Sequence, residues 1–406
     1  MKPEYESMGS AAIHATEGLT SAHAHLMPIF ATSTFTFDSA EQGMKRFAGK
    51  EPGFIYSRFG NPTTNAAADA VAALEAFGII SENGAPLSLK AILTSSGQSA
   101  MAAMFFANLS AGDTVLTHYS VYGGTHEFLF DFLKRFGIHA LIDSFNDLNA
   151  VEDILKKDPS VKMIHIETPA NPTMQCIDLA AVCRIAKQYG VKVTVDNTFA
   201  TPYLQQPFKY GVDFVFHSTT KFLNGHGTSI GGVLVGKDVD FMNKQGNRTV
   251  KLLGANSNPF DAFLLIQGIK TLELRMKQHC SNALEVATFL AGHKAIARVN
   301  YNGLPSHPDH EISEKQMRYP GAVLSFELKE GFEGGKKFID RLAMCVRAVS
   351  LGTVDTLISH PASMSHSGMS REDRIAAGIT DGLIRMSVGL EHITDIIKDL
   401  EQALSR

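Results

Sequence analysis

The chain reads as an α/β protein: a mostly parallel sheet with helices on both faces, followed by a smaller C-terminal α+β domain. Three observations predict this. Short, largely apolar runs alternate with helical stretches from about residue 88 to residue 236, the pattern of strand–helix–strand units. Runs such as VDFVF are apolar on successive residues, as strands covered on both faces are. Past Val235 a polar stretch, KQGNRTVKLLGANSNP, gives way to a long helical run, and strands become sparse.

At 406 residues the chain is long enough for two or three domains and a sizeable core. The expected division is an arm over 1–65, a large domain over 66–272 and a small domain over 273–406. Net charge is −4 with no long basic run, which argues against a nucleic-acid partner. MKPEYESMGS lacks a signal-like apolar region and no run approaches membrane-spanning length, so a cytoplasmic protein is expected, with no membrane partner. Cys176, Cys183, Cys280 and Cys345 show no CxxC spacing, and the sixteen histidines include no HExxH. Reduced cysteines and no metal site are the expectation.

Residues 1–65 show little periodicity, with at most one short strand in FATSTFTFDSAEQG, and read as an arm that must pack on something. The arm ends in a run from Phe54 to Thr63 that mixes aromatic and basic residues. A helix follows, capped by Thr63 or Thr64, running through AAADAVAALEAFG and stopping at Gly78. LKAILT reads as a strand, Ser95-Ser96-Gly97 as a turn and QSAMAAMFFANL as a helix. Free N–H groups at such a helix start favour a phosphate, although Ser and Gly also serve there merely as caps. TVLTH is the next strand. A turn over 119–125 leads to a helix with Phe128, Leu129, Phe132 and Phe136 on one face. VKMIHIE ends in Glu167-Thr168-Pro169, Asn171-Pro172 turns the chain, and IDLAAVCRIAKQYG is an amphipathic helix closed by Gly190. A long, bent helix from about Phe260 links the domains. Beyond it, AVLSFEL and GLIRMSVG read as strands, FIDRLAMC and the C-terminus as helices, and PSHPDH and KEGFEGG as loops.

The chemistry gathers between Val191 and Gly236. The strand VKVTV ends in Asp196, and VDFVF ends in His217-Ser218 with Thr219-Thr220-Lys221 directly after. Ligands of open α/β sheets bind at such strand ends, and a buried charge needs a partner. Pyridoxal phosphate requires this set: an amine to hold its aldehyde carbon, a carboxylate to keep its ring nitrogen protonated, and donors for its phosphate. Lys221 offers the amine, Asp196 the carboxylate, and Ser218 and Thr220 the hydroxyls. The competing reading makes Asp196 a cap and sends Lys221 to solvent; finding both at neighbouring strand ends weighs against it. No G-x-G-x-x-G is present, so a dinucleotide has little support.

DNTFATPYLQQP followed by HSTTKFLNGHG resembles the Cys/Met-metabolism (trans-sulfuration) family of pyridoxal-phosphate enzymes, and the similarity runs over nearly the whole chain. The resemblance implies the aminotransferase-like fold type I and assigns roles by matched position. Gly97 and Gln98 would hold the phosphate. Tyr122 would stack on the ring and help move protons, where the residues alone equally allow a locally packed loop tyrosine. Asn171 would lie near the 3′-oxygen, and Thr198 would join the cofactor contacts. Tyr56 and Arg58, in the YSRxxNPT motif, would reach the phosphate of a neighbouring subunit, which makes the expected assembly a homotetramer of dimers with shared sites. Arg385, in LIRMSVG, would bind the substrate's α-carboxylate, where a salt bridge to a nearby acid is the alternative. Ser350, in VSLG, would lie near Lys221.

The same resemblance bears on substrate. Members that handle cystathionine carry acids where Ile55 and Val349 stand here, and HPASMSHSGM is similar to members that eliminate from methionine. Those members usually carry cysteine where Gly124 stands, and Gln98 with GHGTSIGG is similar to the sulfhydrylases. The expected activity is γ-elimination on L-methionine, giving 2-oxobutanoate, methanethiol and ammonia. The alternatives are γ-replacement on an O-acylhomoserine and, behind it, chemistry on cystathionine. A non-catalytic relative of the same fold is the reading from another class, and the intact set of Lys221, Asp196, Tyr122, Arg58 and Arg385 opposes it.

Overall fold

A computed structural model describes residues 5–19, 23–365, 367–368, 370–376 and 378–405; His366 and Met369 of the HPASMSHSGM motif lie outside these. Among the described residues the first sheet has seven strands: β1 (Lys90–Thr94), β2 (Thr114–His118), β3 (His139–Asp143), β4 (Val161–Glu167), β5 (Lys192–Asp196), β6 (Phe214–Ser218) and β7 (Gly232–Gly236). Their order is β1-β7-β6-β5-β4-β2-β3. Pairings from β3 across to β6 are parallel, and β7 runs antiparallel to both β6 and β1.

Alternation along the strands sends side chains to two separate cores. Ile164, Ile166, Val193, Val195, Val233 and Val235 pack on one face with Ala67, Leu74 and Val182. Met163, Phe214, Phe216 and Leu234 pack on the other with Ala100, Met104 and Phe105. The helices Pro62–Glu75 and Leu179–Gln188 thus cover one face, and Gly97–Asn108 covers the other. This is the sheet with helices on both faces that the alternation predicts.

The second, smaller sheet has the order β10-β11-β12-β9-β8, formed by β8 (Ile296–Asn300), β9 (Val323–Leu328), β10 (Val346–Arg347), β11 (Leu357–Ser359) and β12 (Leu383–Ser387). Its core is built with the helices Leu272–Gly292, Gly331–Arg341 and Ile393–Leu404. The run from Phe260 is two helices, Pro259–Lys270 and Leu272–Gly292, separated at Thr271. Leu272, Met276 and Cys280 of the second helix belong to the first core, whereas Ala283, Val286, Ala287 and Leu290 belong to the second.

Several local expectations are corrected. The arm contains helices Met8–His14 and Ala40–Phe47, and its only extended pairing among the described residues is the isolated bridge Thr34↔Tyr56. Asn61, rather than a threonine, caps Pro62–Glu75: its side chain accepts the Thr63 N–H and Pro62 occupies the first turn. The aromatic helix after residue 122 is not uniform. It starts as Gly123–Glu127, widens to a π-turn over Phe128–Phe132 and tightens over Leu133–Phe136, with the rings of Phe128, Phe132 and Phe136 5.2–5.3 Å apart in sequence. The glycines of KEGFEGG lie in the helix Gly331–Arg341, not in a loop. The polar stretch after Val235 is largely helical, including Asn247–Leu253.

Candidate active site

The carboxyl ends of β4, β5 and β6 lie side by side, with Glu167 paired to Asp196 and Asp196 to Phe216. Thr198 ties two of these ends together. Its N–H and hydroxyl donate to Asp196 Oδ1 at 3.0 and 2.5 Å, and its Oγ1 accepts the Ser218 N–H at 2.9 Å. Behind Ser218 stands Gly97, the first residue of its helix. A Cβ on Gly97 would lie 2.8 Å from Ser218 Cβ and 3.1 Å from its Cα, so only glycine lets the helix start close on the strand end. Ser96 caps the helix by taking the Ser99 N–H, and the first-turn amides of Gly97 and Gln98 have no intrahelical partner. An anion fits there.

Past β6 the chain turns over 218–225, where Lys221 N–H donates to Ser218 O. Lys221 Nζ donates to Ser350 Oγ at 2.7 Å. Burial first, and then the Arg385 charge, lower the lysine to about 8, which brings a neutral, nucleophilic amine into working range. In the same turn the Thr220 hydroxyl accepts the Gly231 N–H at 3.0 Å.

Ser350 belongs to the second sheet's side of the site and has φ 93°, a strained conformation for a serine. Its carbonyl accepts from Arg385 Nη2 at 2.6 Å, placing a guanidinium two contacts from the lysine. No acid pairs with Arg385 among the described residues, and its buried Nε has no partner there. Burial alone lowers it to about 10, so it remains a cation in want of an anion. The salt-bridge alternative for Arg385 is therefore not what the structure contains.

Tyr122 stands on the loop after β2 and is 53% exposed. Glu167 Oε2 accepts the Tyr122 N–H at 2.7 Å and Oε1 the Asn171 N–H at 3.0 Å; Asn171 Oδ1 is buried without a partner. Gln98 Nε2 donates to Gly124 O at 3.1 Å, and a Cβ on Gly124 would meet Tyr122 Cε1 at 2.7 Å. These contacts chain Gly97, Gln98, Tyr122, Asn171, Asp196, Thr198 and Ser218 into one cluster, with Lys221, Ser350 and Arg385 as its second half. Tyr56 and Arg58 are not drawn in. Both are exposed, Arg58 lies over the rings of Tyr56 and Phe59, and its Nη1 donates to Lys251 O at 3.1 Å.

Two residues of consequence escaped the sequence reading. Glu167 carries the same signal as Asp196, a carboxylate at a buried strand end. Arg275, in the long helix, is buried and donates from Nη1 to Phe222 O and from Nη2 to Gly268 O, both at 2.7 Å; it buttresses the turn just after Lys221. Nothing in the local pattern marks it, because its partners are carbonyls remote in sequence.

The charge pattern tests the cofactor. Asp196 and Glu167 are adjacent, Glu167 buried and Asp196 half-buried. Burial raises both, and the neighbouring Asp196 charge adds to the rise at Glu167. Neither has a Lys or Arg partner among the described residues. A protonated ring nitrogen is the cation such a pair accepts, an anion fits the helix start at Gly97, and an amine of lowered pKa stands at Lys221: the residues fit pyridoxal phosphate. No group of residues suited to a metal occurs among those described.

Fold and site together define a pyridoxal-phosphate-dependent enzyme of amino-acid metabolism. The sequence profile of the Cys/Met metabolism PLP-dependent enzyme family matches residues 9–405, and the chain belongs to that family. It is 45% identical over 413 residues to an L-methionine gamma-lyase of Fusobacterium nucleatum subsp. polymorphum, covering 100% of both chains. It is 40% identical to an O-succinylhomoserine sulfhydrylase of Pseudomonas aeruginosa, covering 97% of this chain and 94% of that one. Among solved structures, a cystathionine gamma synthase from Xanthomonas oryzae pv. oryzae superposes with a TM-score of 0.89 at 36% identity, over 98% of each chain. Among the described residues no helix is long and apolar enough to cross a membrane.

Proposed function

We propose that the protein is a methionine γ-lyase, converting L-methionine and water to 2-oxobutanoate, methanethiol and ammonia. The observation that carries the amino-acid reading is the unpaired guanidinium of Arg385, joined through Ser350 to an amine of lowered pKa. A forked guanidinium suits an α-carboxylate. Bound pyridoxal phosphate supplies an electron sink conjugated to the substrate's Cα. Lys221 Nζ would take the Cα proton and then a Cβ proton, which lets the γ-sulfur leave as methanethiol, and Ser350 Oγ orients that amine. Tyr122, above the site on its exposed loop, moves protons at the leaving sulfur side. Gly97, Gln98, Ser218 and Thr220 hold the phosphate, Asp196 with Thr198 holds the ring nitrogen, and Asn171 lies at the ring's oxygen. Residues 66–272 form the cofactor-binding domain, 273–406 the small domain, and 1–65 the arm.

Methionine is favoured by the identity with the lyase of Fusobacterium and by the pocket wall. An open cavity of about 580 Å³ beside Ser350 is lined by Thr220, Ile230, Asp261, Val349 and Thr353. Its one acid, Asp261, has a carboxylate oxygen bonded by the Asn258 amide, and the apolar Val349 and Ile230 offer cystathionine's distal ammonium no partner where a thioether methyl needs none. Gln98 seated on Gly124 favours a second reading, γ-replacement with sulfide. The discriminating experiment compares L-methionine alone, O-acetylhomoserine with sulfide, and cystathionine. We expect 2-oxobutanoate from the first; homocysteine from the second with no oxo acid from methionine overturns the proposal. The expected assembly is a cytoplasmic homotetramer in which Tyr56 and Arg58 complete a neighbour's phosphate site; their exposure and distance from their own cluster support it.

A further inference from the structure

The Tyr122 loop and the Asn171 loop arise from different strands, and one side chain holds both. Glu167, the last residue of β4, is 4% exposed. Each of its carboxylate oxygens accepts a backbone N–H from a different loop, Tyr122 at 2.7 Å and Asn171 at 3.0 Å. Its own N–H donates to His118 Nε2 at 2.9 Å, and burial keeps that imidazole neutral, at about 3, so the ring stays an acceptor. Burial, and then the Asp196 charge, raise Glu167 to about 8; once a nearby cation holds it ionised, its two N–H bonds are charge-assisted. A glutamine in the same place accepts through one oxygen and strands the other donor.

Scaffold stability alone does not explain a carboxylate here. Glu167 adjoins Asp196 in register, and two neighbouring acids, one buried and one half-buried, are unfavourable without a cation. The arrangement makes sense when a cation arrives at Asp196. We infer that Glu167 is a positioning residue of the site: its carboxylate clamps the backbones of the Tyr122 and Asn171 loops together and adds a second negative group behind Asp196. This rests on the reading of Tyr122 and Asn171 given above.

The test uses Glu167→Gln holoenzyme. With methionine, kcat should fall about 10- to 100-fold, the size of one lost charge-assisted bond, while KM changes less than about threefold. The pH titration of the cofactor's visible absorbance should be displaced, which loss of mere scaffolding does not produce. Combined with Tyr122→Phe, the two losses should multiply to less than their product, because Glu167 acts through Tyr122. Wild-type kcat and an unmoved absorbance titration in Glu167→Gln, or fully multiplicative losses, overturn the inference. Amide exchange of the wild-type holoenzyme decides the case if the variant does not fold: the Tyr122 and Asn171 amides should be protected like those of β4, and exchange at open-loop rates removes the clamp. Unchanged turnover in Tyr122→Phe alone would instead sink the reading of the site, leaving the exchange result to judge the clamp.

Discussion

Gly97→Ala should separate the fold from the cofactor. Position 97 opens a helix in an ordinary helical conformation, so alanine suits the backbone and its propensity is better than glycine's. The obstacle is steric. The new Cβ lies 2.8 Å from Ser218 Cβ and 3.1 Å from Ser218 Cα, against the 3.5–4.0 Å at which carbons normally touch. Neither neighbour is the far end of a flexible chain, so the strand end or the helix start must shift. Overpacking of this size costs about 1–3 kcal/mol. The shift moves the Ser218 hydroxyl and the Gly97 amide, both assigned to the phosphate, so cofactor Kd should rise about 5- to 150-fold. Gly123→Ala is the control: its Cβ meets nothing within 4 Å. Apoprotein of each variant is titrated with pyridoxal phosphate and followed by absorbance, with circular dichroism checking the fold. Equal Kd for Gly97→Ala and wild type would refute the argument that the phosphate sits at this helix start.

Three further outcomes are expected. Mixing Arg58→Ala with Lys221→Ala protein, each inactive alone, should restore part of the activity once subunits exchange; no recovery after proven exchange counts against a shared site. Gly124→Cys alone should lower methionine turnover about tenfold, since its Cβ falls 2.7 Å from the Tyr122 ring and 3.0 Å from Gln98 Nε2 and a strain near 1.4 kcal/mol is within the usual overpacking range; adding Gln98→Ala should recover part of it, and a faster single variant contradicts the clash. The four cysteines are buried, and burial pushes Cys176, Cys183 and Cys280 up to about 12 and Cys345 higher still. Native protein at pH 8 should therefore leave an aromatic disulfide reagent unreacted, and denatured protein should give four thiols. With folded thiols raised, the unfolded chain releases protons first, so this contribution to stability is full below the ordinary thiol pKa and is lost as pH rises through the folded one. Rapid reaction of the native protein would show the burial to be wrong.

The first sheet was legible because its strands are short apolar runs bounded by turn residues, and because Asp196 and Lys221 are charges at buried ends. The helix Ala40–Phe47 had its signals, Ser39 as cap, Glu41 early and Lys45-Arg46 late, but it is short and mostly polar, with Gly43 in its middle. Strand β3 was missed because it is an edge strand, only half covered, and so lacks the continuous apolar run that marks its neighbours. Lys221 and Asp196 announce themselves locally, whereas the roles of Glu167 and Arg275 exist only through bonds to backbone groups, which carry no residue signature and of which Tyr122 N–H and Phe222 O lie tens of residues away. Tyr56 and Arg58 mark the other limit: on the proposed reading they serve a neighbouring subunit, which a single chain does not contain.

The helix Leu272–Gly292 is seated in both cores, and its Arg275 grips the carbonyls of Phe222 and Gly268. It acts as an axle driven through two bodies. Arg385 lies on the second sheet, whereas Leu351, next to Ser350, is packed in the first core, and Arg275 keeps the turn behind Lys221 fastened to the axle itself. The Lys221–Ser350 bond therefore joins two segments that both rest on the first core, and the Ser350 carbonyl passes that footing on to Arg385.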